Sequence, residues 1–126
     1  SYGTVTAPPN VIGGTTDSTH QYKYSNMSIT IQPGKWLIYL NATYQNKLDR
    51  LCQPFWDLST SITTNTGTMR VVGPTGPVES YLPTAAMYNV EVWSTTTYHF
   101  FVGFPKSNSG QAVYSGEARL FAIPIE

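Results

Sequence analysis

The last third of the chain contains three predicted strands that are apolar on both faces, at Met87–Ser94, Tyr98–Pro105 and Tyr114–Ile125. Successive side chains of a strand point to opposite faces of the sheet, so a strand that covers one side of a core normally alternates apolar and polar residues. In the last of these strands Leu120 and Phe121 are neighbours, and both are apolar. We therefore expect the second face to be covered by another copy of the same chain.

Charge is too sparse and too balanced for several classes of function. The 126 residues include 7 basic and 7 acidic side chains, so the formal net charge is zero and the charged fraction is 11%. An average domain carries about 25%. Zero net charge argues against a nucleic-acid-binding protein, which needs basic residues to neutralise phosphates. The sequence also lacks the run of about 18 apolar residues that a membrane-spanning helix needs. The single cysteine, Cys52, permits no disulfide within the chain and is expected to be a small buried apolar residue.

Short runs of branched and aromatic residues, separated by turn signals, predict an all-β chain. Gln32-Pro33-Gly34-Lys35 has Pro and Gly at the positions that a type II turn requires. The proline-rich segment Gly73–Pro83 predicts a long exposed loop. A short edge strand is expected at Gly3–Thr6. The remaining predicted strands are Gln21–Ser25, Ser28–Gln32, Lys35–Tyr44, Trp56–Thr64 and Thr68–Val72, followed by the three closing strands.

Roughly eight to ten strands of this kind predict an antiparallel jelly-roll β-sandwich of two sheets. The polar segment 1–19 is expected to be an N-terminal lead-in, and residues 20–126 to form the jelly-roll domain.

The order of these elements resembles the jelly rolls of the tumour-necrosis-factor and complement-globular-head superfamily. Gly34-Lys35-Trp36-Leu37-Ile38-Tyr39 is similar to the third strand of that family, and Met87–Trp93 with Tyr98–Val102 are similar to two later strands. Tyr114-Ser115-Gly116, followed by Leu120-Phe121, is similar to the closing motif with two residues more in between. Over about residues 28–125 the resemblance implies a tight homotrimer. In such trimers the sheet of the first, third, sixth and last strands packs around the threefold axis.

On that resemblance, the second apolar faces line the trimer interface. The residues expected there are Trp36, Ile38, Leu40, Tyr88, Val90, Phe121, Ile123 and Ile125. Family order would place Tyr98–Phe104 in the other, outer sheet, which leaves the second apolar face of that strand without an expected cover. The acidic residues that hold calcium in some members are not evident, so that site is not carried over to this chain, and calcium binding by loop carbonyl oxygens stays an open alternative.

The ending Leu120-Phe121-Ala122-Ile123-Pro124-Ile125 is also similar to the closing strand of jelly rolls at the tips of phage tail fibres and virion spikes. Those domains are trimeric, poor in charge, and rich in threonine, tyrosine, asparagine and glycine. This resemblance implies a location on the virion and attachment to a host-surface glycan or protein.

Catalytic constellations are weak in this sequence. A nucleophilic Ser or Cys needs a His oriented by a carboxylate, and the chain has only His20 and His99. Asp49 and Asp57 are the only local pair of acids that could serve glycoside hydrolysis. Neither a His pair nor a Cys pair has metal-ligand spacing. We expect no enzymatic activity, no cofactor and no metal.

Recognition through aromatic side chains is the remaining option, because aromatic rings stack on sugars and anchor protein partners. The candidates for glycan or receptor binding are Tyr81, Trp56, Tyr44, Tyr88 and Trp93, with Tyr81 foremost because it lies in the proline-rich segment.

Two asparagines stand in N-glycosylation sequons, Asn26-Met27-Ser28 and Asn41-Ala42-Thr43. Asn41 falls inside a predicted strand, and a phage protein would never meet the glycosylation machinery. Both sequons are therefore expected to be chance matches.

The sequence thus predicts a non-enzymatic, trimeric receptor-binding or structural domain of a phage or viral fibre. The first alternative is a secreted recognition head of the tumour-necrosis-factor and complement type that binds a protein receptor. The second is a monomeric carbohydrate-binding module, which would leave the second apolar faces exposed.

Overall fold

The computed structural model describes residues 4–6, 11–12, 20–45, 53, 55–63, 69–77, 79–105, 113–114 and 118–125. These residues form ten β-strands, and every strand pair between them is antiparallel. The strands are β1 Thr4–Thr6, β2 Val11–Ile12, β3 His20–Ile31, β4 Gly34–Gln45, β5 Phe55–Ser59, β6 Val71–Val72, β7 Tyr81–Val92, β8 Thr96–Pro105, β9 Val113–Tyr114 and β10 Ala118–Pro124.

The strands form two sheets. The first sheet has the order β1-β10-β4-β9-β2, with β7 also paired to β4, and the second has the order β3-β8-β5-β6. Without the two-residue strands β2 and β9, eight strands remain. The first sheet contains the first, third, sixth and last of them, which are β1, β4, β7 and β10. That is the strand order of a jelly roll, and it is the order that the sequence resemblance implied. The predicted all-β sandwich of two antiparallel sheets is confirmed.

The core lies between the sheets and is built from every second residue of the long strands. Ile38 and Leu40 of β4 face it, as do Leu120 and Ala122 of β10, and all four are almost fully buried. The second sheet contributes the other side of the core with Met27, Ile29, Ile31, Trp56, Leu58, Tyr98 and Phe100. Each large side chain fully buried in this way contributes roughly 1.5–3 kcal/mol to folding.

β3 contains a bulge at the point where the sequence predicts a break between two strands. Tyr24 pairs with Phe101 and Met27 with Phe100, so two residues of β3 have no counterpart in β8. The hydroxyl of the buried Ser25 donates to the carbonyl oxygen of Phe100 at 2.7 Å and accepts from the backbone N–H of Met27 at 3.2 Å. Asn26 has φ 65°. The bulge turns the strand so that Met27 enters the core, and a single strand replaces the two predicted ones.

The predicted loop Gly73–Pro83 ends earlier than expected, because β7 begins at Tyr81 and includes Pro83. β7 forms a twelve-residue ladder with β4, from Tyr81 opposite Gln45 to Val92 opposite Gly34. Among the described strands β7 pairs only with β4, so it is an edge strand. An edge position tolerates proline, since the missing N–H costs no ladder hydrogen bond there.

The turn between β3 and β4 contains Pro33 and Gly34, as the sequence predicts. Gly34 has φ 138°, a region that side chains with a Cβ rarely adopt. The indole Nε1 of Trp36 donates to the carbonyl oxygen of Gln32 at 2.8 Å and ties the turn to the start of β4.

β8 lies in the second sheet, and part of its second apolar face is covered within the chain. Phe101 is 2% exposed and clusters with Phe55 and Tyr24 on the outer side of that sheet. Arg70 lies over the ring of Phe55, 5.7 Å from its centroid. Phe101 is therefore buried within the chain, which supplies a cover for part of the face that the sequence left unexplained.

Candidate functional site

The outward face of the first sheet presents an ordered apolar surface. Strand register places Phe121 of β10 and Met87 of β7 on either side of Tyr39 of β4. In the next row Ile123 and Leu37 lie beside each other. We call these five residues, with Ala85, the apolar face of the first sheet.

Polar residues border this apolar face at both ends. Asn41 pairs with Arg119 of β10 at one end, and Lys35 pairs with Glu91 of β7 at the other. An apolar centre within a polar rim is the usual anatomy of a protein–protein interface.

The centre of the apolar face is partly preformed. The rings of Tyr39 and Phe121 are stacked, with centroids 5.2 Å apart and an interplanar angle of 17°. Met87, beside them, is 61% exposed. A depression of about 410 Å³ opens here, lined by Tyr39, Asn41, Ala85, Ala86, Met87 and Phe121. Contiguous apolar surface is a common feature of interaction sites in soluble proteins, so this face is a candidate interaction site.

The structure corrects the choice of face for most of the predicted interface residues. Trp36, Ile38 and Leu40 are buried in the core of the sandwich. Tyr88 and Val90 are half-buried and pack against the same core. Adjacent residues of a strand point to opposite faces, so the outward positions on β4 and β7 belong to their sequence neighbours.

The predicted interface residues of the last strand do lie on the outward side. Phe121 is half-buried, while Ile123 and Ile125 are exposed. Ile125 follows the end of β10, where its N–H donates to the carbonyl oxygen of Lys35 at 2.9 Å.

Two of the five aromatic candidates for ligand binding face the core. Trp56 is fully buried, with its ring centroid 5.8 Å from that of Phe100. Tyr88 faces the core from β7. Core aromatics of this kind cannot stack on a ligand at the surface, so neither residue fits the predicted role. Tyr44 lies near the end of β4, and its side chain is outside the described part of the structure.

Tyr81 and Trp93 are exposed, at 61% and 83%. Tyr81 opens β7 and Trp93 follows its end. At about 3.3 Å per residue the two lie roughly 40 Å apart, too far to serve one small binding site.

The turn that carries Trp93 is held by side-chain hydrogen bonds. The hydroxyl of Thr95 donates to Oε1 of Gln32 at 3.1 Å, and the hydroxyl of Thr96 donates to the carbonyl oxygen of Ser94 at 2.9 Å. An indole presented on a fixed turn loses little conformational entropy on binding, so Trp93 is the stronger candidate anchor.

Among the described residues, Tyr88 has the most strongly shifted pKa. Burial raises the pKa of its hydroxyl, and the negative charge of Asp57 raises it further. The hydroxyl has no hydrogen-bond partner among the described residues. Tyr88 is therefore a neutral core residue with a buried polar atom.

The histidines and acids show no catalytic arrangement in the part of the chain that the structure describes. Nδ1 of His99 lies 3.3 Å from the hydroxyl of Tyr24, and the two rings meet edge to face. Asp57 is buried and accepts from the backbone N–H of Met69 at 3.1 Å. The side chain of His20, and all of Asp49 and Cys52, lie outside the described residues.

Among the residues that the structure describes, no three His, Cys, Asp or Glu side chains group as metal ligands. Nor is any described helix long and apolar enough to cross a membrane.

Sequence reasoning missed Leu37, Tyr39 and Met87, which form much of the apolar face. For β4 the sequence does contain a signal. Lys35 and Asn41 lie an even number of positions away from Leu37 and Tyr39, so all four lie on the same face of the strand. A stripe that is polar at both ends and apolar in the middle fits a rimmed outer surface better than a continuous core.

Comparisons with known proteins give structural similarities at very low sequence identity. No protein-family model and no curated protein matches the sequence. Among solved structures, Eiger TNF from S. frugiperda is similar, with 6% sequence identity, a TM-score of 0.47 and 94% of each chain covered. Murine APRIL is similar with 9% identity, a TM-score of 0.48, and coverage of 97% of this chain and 98% of that one. Similarity at this level carries no conclusion about function, and the assignment of a jelly roll rests on the strand order given above.

Proposed function

We propose that this chain is a non-enzymatic extracellular recognition head that works as a homotrimer and binds a protein receptor. The apolar face of the first sheet is the assembly surface, and Trp93 is a contact for the receptor. The observation that carries the proposal is the row Phe121–Tyr39–Met87, which is continuous across three strands, with Met87 exposed and the two rings half-buried.

The occupant of the apolar face is a second copy of the same chain. An isolated domain seldom leaves such a surface uncovered, and the polar rim supplies charges of both signs, Arg119 and Lys35 against Glu91. A surface with both signs can satisfy itself in a symmetric assembly. This sheet is also the one that the sequence resemblance places around a threefold axis.

A location on a phage or viral fibre is not part of this proposal, because neither the strand order nor the comparisons support it. The secreted recognition head, which was the first alternative from the sequence, explains the same surface. A monomeric carbohydrate-binding module stays the competing function, and it would require the apolar face to be exposed in solution.

Light scattering coupled to size-exclusion chromatography tests the assembly. We expect a mass three times the 13.9 kDa of one chain. Met87→Lys places a charge in the centre of the apolar face at an exposed position and should yield monomers. Val72→Lys is the matched control, since Val72 is an exposed strand residue of the second sheet at 47%.

Each result bears on a different part of the proposal. A wild-type mass of one chain would overturn the assembly and favour the carbohydrate-binding module. A trimer that Met87→Lys leaves intact would overturn the apolar face as its interface, although not the trimer itself.

A further inference from the structure

Asn26 lies at the bulge of β3, in a position unlike that of an ordinary strand residue. It is exposed, and its φ of 65° lies in the left-handed region. The pairing of β3 with β8 is interrupted between Tyr24 and Met27, so Asn26 has no partner position in the ladder. The side chain therefore projects from a surface kink in the strand.

The residue two positions further along completes a glycosylation sequon. Ser28 is half-buried and lies opposite His99 in the ladder that resumes after the bulge. Met27, the middle residue, is fully buried in the core. The sequon is thus fixed at its middle by the core and leaves its acceptor amide open to solvent.

The second sequon lies on the opposite layer of the sandwich. Asn41 is exposed on β4, paired with Ala85 on one side and Arg119 on the other, and it lines the depression beside Tyr39. A bulky oligosaccharide there would cover the apolar face of the first sheet. One at Asn26 would leave that face clear.

Backbone conformation accounts for only part of the pattern. Asparagine tolerates the left-handed region better than most residues, which explains Asn26 by itself. It gives no reason for a hydroxyl residue at position 28. An experiment that removes only that hydroxyl therefore separates the two explanations.

We propose that Asn26 is a site of N-linked glycosylation and that Asn41 is not. In this reaction Nδ2 of Asn26 bonds to C1 of an oligosaccharide carried on a lipid pyrophosphate. The bond from C1 to the pyrophosphate oxygen breaks, Nδ2 loses a proton, and the lipid pyrophosphate leaves. The inference rests on the extracellular placement in the proposed function, because only a chain that enters the secretory pathway meets this donor.

The test is secretion of the full chain, behind a cleavable leader, from a eukaryotic cell line. Peptide mapping after endoglycosidase treatment then locates any modified asparagine. We expect one glycan, at Asn26, and its complete loss in Ser28→Ala and Asn26→Asp. Ser28→Thr keeps a hydroxyl at the sequon and should retain the glycan, as should Asn41→Gln.

An unmodified wild-type chain, or a glycan that Asn41→Gln abolishes, would overturn the inference. Light scattering on the same samples separates this failure from that of the proposed function. A trimer without a glycan at Asn26 refutes only the modification, whereas a monomer that carries one refutes only the assembly.

Discussion

Replacing Tyr88 by phenylalanine should stabilise the protein. The hydroxyl of Tyr88 is buried and has no hydrogen-bond partner among the described residues. A buried polar group left without a partner costs about 1–3 kcal/mol. Tyr88→Phe removes that cost and leaves a gap of one small atom, so we expect the free energy of unfolding to rise by about 1 kcal/mol at pH 7. In a domain of this size that corresponds to roughly 3–5 °C in Tm.

The same variant should change the dependence of stability on pH. Burial, and secondarily the charge of Asp57, raises the pKa of Tyr88 in the folded protein. In the unfolded chain tyrosine ionises near pH 10. Above that pH the unfolded state releases a proton that the folded state keeps, so stability falls as pH rises, by up to about 1.4 kcal/mol per pH unit. This loss is absent below pH 10 and absent from the variant.

Urea unfolding followed by circular dichroism, at one protein concentration and at several pH values from 7 to 11, measures both effects. Tyr81→Phe, which removes an exposed hydroxyl, is the matched control and should match the wild type at pH 7. The stability gap between Tyr88→Phe and the wild type should widen from pH 10 upward. A variant that is less stable at pH 7 by 1 kcal/mol or more would mean that the hydroxyl makes a hydrogen bond. Parallel pH curves would refute the argument from burial.

Two further predictions concern the bulge and the exposed indole. Ser25→Ala should lower the free energy of unfolding by about 1–3 kcal/mol in the same urea assay. The reason is that the buried carbonyl of Phe100 and N–H of Met27 both lose their hydroxyl partner. An unchanged urea midpoint would mean that the bulge rearranges to satisfy both groups. Trp93→Ser should change the free energy of unfolding by no more than about 0.5 kcal/mol and leave the mass in solution unaltered, since the side chain is 83% exposed and lies beyond the apolar face. A large loss of stability would show that Trp93 contributes to packing. A change in mass would show that it contributes to assembly instead of being free for a receptor.

Most of the strands could be predicted because alternation and turn residues are local signals. The prediction of a strand over Lys35–Tyr44 agrees with β4, and a short edge strand near Gly3–Thr6 agrees with β1. Two local predictions failed for non-local reasons. Pro83 lies inside β7 because β7 occupies a sheet edge, and the break expected after Ser25 is a bulge that its hydroxyl stabilises.

The exposure of aromatic side chains could not be predicted from neighbouring residues. Trp56 and Trp93 both lie in predicted strands, yet Trp56 is fully buried and Trp93 is the most exposed large apolar side chain of the described residues. Burial depends on which layer lies opposite, and that is set by residues far away in the chain.

By itself, the sequence determined that this chain forms a β-sandwich with more apolar strand faces than one core can use. The alternation of side chains between the two faces of a strand is a local property, so it can be predicted from the sequence without knowledge of the fold. Only the tertiary structure decided which of the two apolar faces of β4 lies inside. Trp36, Ile38 and Leu40 fill the core, while Leu37 and Tyr39 face outward. When both faces of a strand are apolar, a register shift of one residue leaves its apolar pattern nearly unchanged. For β4 this ambiguity is removed only by its pairing with β7 and β10 and by packing against the second sheet.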